Sequence, residues 1–100
     1  MRILLTGAAS PLGRAITDEL GEGHQLRLFD SEPIEADERH EVVTASLTDA
    51  TAVWSAVRDI DAVLHTGEPP AQLPSDELAR DQQLLDEATR GTHILCKAAV

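Results

Sequence analysis

An apolar strand that breaks into a tight glycine turn and resumes as a helix restricts a chain to few folds, and residues 2–20 contain one. Ile3, Leu4 and Leu5 run without polar interruption between Arg2 and Thr6, as in a strand buried on both faces of a parallel sheet. The turn reads Thr6-Gly7-Ala8-Ala9-Ser10-Pro11-Leu12-Gly13. Ser10 followed by Pro11 marks a helix start, because a serine hydroxyl accepts first-turn N–H groups and proline gives up no helical bond there. Leu12, Ala15, Ile16 and Leu20 then recur at helical spacing over about 11–21, and Gly21 and Gly23 end the helix.

The pattern repeats downstream. QLRLFD (25–30) predicts a second strand ending in Phe29 and Asp30, and SEPIEADERH (31–40) a polar loop. EVVTA (41–45) predicts a third strand, and Asp49 caps a helix of about 50–58 with Ala52, Val53, Ala56 and Val57 on one side. DAVLHT (61–66) is a fourth strand, followed by the proline-rich loop GEPPAQLPS (67–75). Ser75 or Asp76 starts a final long helix, with Leu78, Leu85, Ala88, Thr92, Leu95 and Ala99 as its expected buried stripe. Apolar strands alternating with helices define an α/β fold with a parallel sheet, in one domain spanning 1–100. ILCKAAV stops inside a helical pattern with no Gly, Asn or Pro to end it. The expectation is therefore a domain cut after its fourth strand and the following helix.

A strand, glycine turn and helix together present free N–H groups and the positive end of a helix dipole, both of which favour a phosphate. In the dinucleotide-binding version three glycines serve the turn, the approach to pyrophosphate and the packing of helix on strand. Gly7 and Gly13 fill the first and last roles, and Ser10 occupies the middle one, where its hydroxyl could donate to phosphate. Taken alone, the loop reads equally well as a strand-to-helix turn that binds nothing. Asp30 changes that balance. It lies 17 residues beyond Gly13 (30 − 13), at the end of the second strand, where an acid accepts bonds from the adenosine ribose hydroxyls. A ribose 2′-phosphate about 4 Å from that carboxylate would meet repulsion of roughly 4 kcal/mol per charge. No arginine follows, only Ser31 and Glu32, so NAD is favoured over NADP.

Composition narrows the partners. A net charge of −10 argues against nucleic acid and anionic membrane, which are drawn by clustered Lys and Arg. Cys96 is the single cysteine, so no internal disulfide forms, which fits a reducing, cytoplasmic location. Neither a signal peptide nor an apolar run of membrane-spanning length is present.

The motifs in order resemble the extended short-chain dehydrogenase/reductases, in particular the NAD-dependent epimerase/dehydratase family. TGAASPLG is similar to the family's TGxxGxxG, matched at Thr6, Gly7 and Gly13 and broken at Ser10. LRLFD is similar to its second strand, and SLTD (46–49) to its D-[LI]-x-D, with Ser46 in place of the first acid. DAVLHTG (61–67) resembles D-x-V-x-H-x-[AG], and ATRGT (88–92) resembles N-V-x-G-T with Ala88 for Asn. KAA (97–99) matches the ending of that helix. The resemblance implies a Rossmann-type parallel sheet with flanking helices. It implies that Ala8, Ser10, Pro11 and Leu12 contact pyrophosphate through backbone, that Asp30 holds ribose, that Ser46 and Leu47 flank adenine, and that Thr66 and Gly67 approach nicotinamide. It also implies a homodimer and a small-molecule substrate for a full-length protein.

Catalysis in that family uses a Ser or Thr and a Tyr-x-x-x-Lys pair. This chain has no tyrosine, and Lys97 is its only lysine. Residues 1–100 are expected to supply no catalytic group and to be inactive alone. The parent protein reads as an NAD-dependent oxidoreductase acting on a sugar-like or other hydroxyl substrate. Two other readings stay open: an NAD-sensing protein of the same fold, and an interaction module that has lost its cofactor. His65 reads as structural, His24, His40 and His93 have no metal-ligand spacing, Cys96 is an inert small residue, and Glu68 belongs to a surface loop.

Overall fold

The apolar runs pair side by side in one parallel sheet. A computed structural model describes residues 1–66, 75–85 and 91–99. β1 (Arg2–Thr6) is flanked by β2 (Gln25–Asp30) and β4 (Ala62–His65), and β3 (Glu41–Thr44) adds outside β2, giving the order β3-β2-β1-β4. α1 (Pro11–Leu20) joins β1 to β2, and α2 (Ala50–Ala56) joins β3 to β4. α3 (Glu77–Leu85) and α4 (Thr92–Ala99) follow. This is the Rossmann-type arrangement expected from the sequence.

Strand alternation sends side chains to two cores, one on each face of the sheet. Ile3, Leu5, Leu26 and Leu28 meet Ile16 and Leu20 of α1. Leu4 and Phe29 meet Val53 and Ala56 of α2 and Leu95 and Ala98 of α4 on the other face. A strand buried on both sides cannot alternate apolar with polar residues, which is why β1 reads as a continuous apolar run.

The helices turn slightly differently from their apolar spacing. Leu12 is 48% exposed and Ala15 is exposed, while Gly13, Ile16 and Leu20 form the inward stripe of α1. Only a glycine fits where α1 starts against the loop, so the stripe is phased on Gly13. On α4 the buried positions are Leu95 and Ala98, with Gly91 buried just before it, rather than Thr92 and Ala99. Small residues let α4 approach the sheet and α2. Leu78 is 76% exposed; the partly buried residues at the start of α3 are Ala79 and Arg80. Asp76 caps α3 through the Ala79 N–H at 2.9 Å. Residues 86–90, including Ala88, lie outside the described residues, as do residues 67–74 with Gly67 and Glu68. α2 ends at Ala56, two residues short of expectation, and Asp59 turns the chain with φ of +59°.

Arg27 fastens α2 to the sheet. Its Nη1 donates to the carbonyls of Ala56 at 2.6 Å and Arg58 at 2.7 Å, and its Nε reaches Glu41 at 3.0 Å. The Arg27 hydrogen bond, reinforced by Arg2, holds the Glu41 carboxyl below the usual 4.5. A lowered carboxyl pKa means the unfolded chain takes up the proton first, so this contribution is complete above about pH 4.5 and fades on acidification. Arg27→Met should cost about 1–3 kcal/mol in chemical denaturation, because two carbonyls at the end of α2 lose a charged donor. It should also return the Glu41 titration towards 4.5, readable by NMR.

Candidate cofactor site

Parallel strands all end at the same edge of a sheet. Here Thr6 pairs with Phe29 and His65, and Asp30 with Thr44. Gly7, Asp30, Thr44 and Thr66 therefore line one crest. The chain leaves β1 for β2 on one side and reaches β4 on the other, which opens a crevice at the carboxyl end of β1.

Two glycines shape the loop at that crevice. Gly7 has φ of +67°, a left-handed conformation, and a Cβ there would overlap Thr66 Oγ1. A Cβ on Gly13 would overlap the Gly7 carbonyl oxygen and lie 2.7 Å from Ala8 Cα. Ser10, at the middle glycine position, caps α1. Its hydroxyl accepts from the Gly13 N–H at 3.0 Å and donates to the Gly7 carbonyl at 2.7 Å. Its single proton is used inside the turn, on the Gly7 carbonyl.

The backbone donors divide clearly. Ala8 N–H goes to the Phe29 carbonyl at 3.3 Å, and Ser10 N–H to the Gly7 carbonyl at 3.2 Å. Pro11 has no N–H. The Leu12 N–H, in the first turn of α1, has no protein acceptor among the described residues, as expected for one of the four orphan donors of a helix start. An unpaired N–H at the positive end of a helix is a place that favours an anion.

Asp30 is built into the same loop. Its Oδ2 accepts from the Ala9 N–H at 2.9 Å and its Oδ1 from the Glu32 N–H at 3.0 Å. Each oxygen keeps lone-pair capacity for a hydroxyl. The 17-residue spacing located Asp30, but nothing local revealed that it also ties down Ala9. Along the crest, Ser46 bonds the Thr48 hydroxyl at 2.8 Å and accepts its N–H at 3.1 Å. Leu47 packs on the α2 core, and Asp49 caps α2 through the Ala52 N–H at 3.2 Å.

On the β4 side, Thr66 donates its hydroxyl to the Thr6 carbonyl at 2.8 Å and its N–H to Thr6 Oγ1 at 3.2 Å. His65 bonds Thr6 Oγ1 through Nδ1 at 2.6 Å and Thr92 Oγ1 through Nε2 at 3.0 Å. Its residue surface remains accessible, yet ring desolvation lowers its pKa below the ordinary 6.5. A lowered histidine pKa means the unfolded chain protonates first. Stability is thus complete above about pH 6.5 and declines as pH falls below it. His65→Asn should remove this part of the pH dependence in denaturation midpoints between pH 5 and 7. Among the described residues there is no cluster able to hold a metal ion.

A parallel sheet with a glycine turn at the start of α1 and an acid at the end of β2 defines a dinucleotide-type α/β domain. Residues 3–100 match the model of the NAD dependent epimerase/dehydratase family. The chain belongs to that family. It is 37% identical over 99 residues to the NAD-dependent glucose-6-phosphate dehydrogenase of Haloferax volcanii, covering 86% of this chain and 37% of that enzyme. Uronate dehydrogenase from Agrobacterium tumefaciens superposes with a TM-score of 0.81 at 34% identity, over 98% of this chain and 35% of that one. A mutant of the same enzyme complexed with NAD gives the same score and identity, over 98% of this chain and 36% of that one. The chain thus spans little more than a third of the length of these proteins.

Proposed function

We propose that this chain is the N-terminal, cofactor-binding part of an NAD-dependent oxidoreductase acting on a sugar-like hydroxyl substrate. The observation that carries the reading is the Asp30 carboxylate, held by Ala9 and Glu32 beside a glycine turn with a free Leu12 N–H. Leu12 donates to pyrophosphate, while Gly7, Ala8, Ser10, Pro11 and Gly13 form the close backbone wall of the loop. Asp30 accepts from the adenosine ribose and disfavours a 2′-phosphate, giving NAD over NADP. Ser46 and Leu47 flank adenine. Thr66 borders the nicotinamide half, together with Gly67, which lies outside the described residues.

When bound, nicotinamide supplies a hydride acceptor at its C4 position. This chain's residues bind and orient it, and with no tyrosine in residues 1–100 the proton-transfer groups belong elsewhere in a full-length protein. Such a protein would also carry the substrate site and a homodimer surface. Among the described residues no helix is long and apolar enough to cross a membrane. The similar proteins are named for uronates and glucose 6-phosphate, so anionic aldoses, uronic acids and sugar phosphates, are the substrate class to try. The test is dihydronicotinamide formation by the intact protein from NAD with uronic acids and sugar phosphates. Turnover is expected; NAD binding with no turnover on any sugar would instead favour an NAD sensor.

A further inference from the structure

His65 sits in a chain of hydrogen bonds whose direction is fixed by its buried end. Thr6 is fully buried, and its Oγ1 already accepts the Thr66 N–H at 3.2 Å. Its hydroxyl proton has one acceptor among the described residues, His65 Nδ1 at 2.6 Å. Nδ1 must then be unprotonated, which places the ring proton on Nε2, 3.0 Å from Thr92 Oγ1. The run is Thr66 N–H to Thr6 O–H to His65 to Thr92. It links β1, β4 and α4, and it begins at Thr66, whose hydroxyl fills the space a Gly7 side chain would need.

We propose that His65 is a positioning residue for the dinucleotide: as a neutral imidazole protonated at Nε2, it straps α4 to the ends of β1 and β4 and so sets Thr66 against the Gly7 turn. The inference rests on the cofactor reading above. The geometry supports a positioning role because the pyrophosphate turn and the nicotinamide-side strand end touch through Gly7 and Thr66. Among the described residues, Thr66 is held by Thr6, at its β1 side. Without His65, the Thr6 hydroxyl loses its acceptor and is free to turn away from the Thr66 N–H. A protonated His65 would carry a second proton into the Thr6 contact, so the strap needs the neutral ring.

The test uses the intact protein and its His65→Ala and His65→Asn variants. Asparagine keeps an acceptor near the place of Nδ1 and loses the reach to Thr92. His65→Ala should weaken NAD about tenfold, the value of one lost hydrogen bond. His65→Asn should recover only the part of that loss owed to the Thr6 contact, and Thr92→Val should give a smaller loss that does not add to that of His65→Ala. Imidazole nitrogen NMR of the wild type should show Nδ1 bare and Nε2 protonated near neutral pH, a signature that needs no cofactor. A ring protonated at Nδ1, or equal NAD affinity in the wild type and a folded His65→Ala, would overturn the proposal. Wild type that shows the expected tautomer but binds no NAD would overturn the cofactor reading and with it the role of the strap in binding.

Discussion

Gly13→Val should unfold the start of α1 and abolish NAD binding together. The missing side chain at Gly13 is filled by backbone, since a Cβ there would overlap the Gly7 carbonyl oxygen and lie 2.7 Å from Ala8 Cα. Backbone atoms cannot swing aside as a flexible side chain can, so the helix itself must move off the loop. Such overpacking costs about 3 kcal/mol or more, a large part of the 5–15 kcal/mol that holds a typical domain. The same motion carries away the Ser10 cap, which bonds the Gly13 N–H, and with it the aim of the Leu12 N–H. Gly23→Ala is the internal control, because a Cβ there meets nothing within 4 Å. It should change stability by less than about 0.5 kcal/mol. Equal denaturation midpoints for Gly13→Val and Gly23→Ala would refute the close-approach role of Gly13.

Asp30→Ala should weaken NAD by about 10- to 100-fold, the value of one charge-assisted hydrogen-bond set of about 1.5–3 kcal/mol. NADP should lose much less, because removing the carboxylate also removes its repulsion of the 2′-phosphate. The preference for NAD therefore narrows. The variant also frees the Ala9 and Glu32 N–H groups, a loss that falls on both cofactors alike. Asp30→Asn separates the two effects, since it keeps an acceptor oxygen for the loop while discarding the charge. If Asp30→Ala weakens NAD and NADP equally, Asp30 serves only the loop and the ribose assignment is wrong.

What was legible in the sequence is what local chemistry fixes. The continuous apolar run of β1, the Ser10-Pro11 helix start and the Asp49 cap each depend on neighbours a few residues apart, and each stands where it was expected. Asp30 was also legible, because a βαβ unit of known length brings the end of β2 beside the first loop. Long-range ties were not. Arg27 reaches carbonyls 29 and 31 residues away, and Asp30 reaches an N–H 21 residues back, with no periodic signal for either. Helix phasing failed for a different reason. The sequence spacing followed apolar side chains at Leu12 and Ala99, whereas the packed stripes are centred on Gly13, Gly91 and Ala98, where closeness of approach outweighs hydrophobicity. His65 looked structural, and its bonds to Thr6 and Thr92 show how that structure connects three elements at the carboxyl edge of the sheet.

The most direct measurement is a calorimetric titration of the intact, folded protein with NAD and, separately, with NADP. The expected result is saturable binding of NAD at one site per chain, with NADP clearly weaker. A folded protein that takes up no NAD at millimolar concentration, or that binds NADP as tightly as NAD, would contradict the site built from Gly7, Leu12, Gly13 and Asp30.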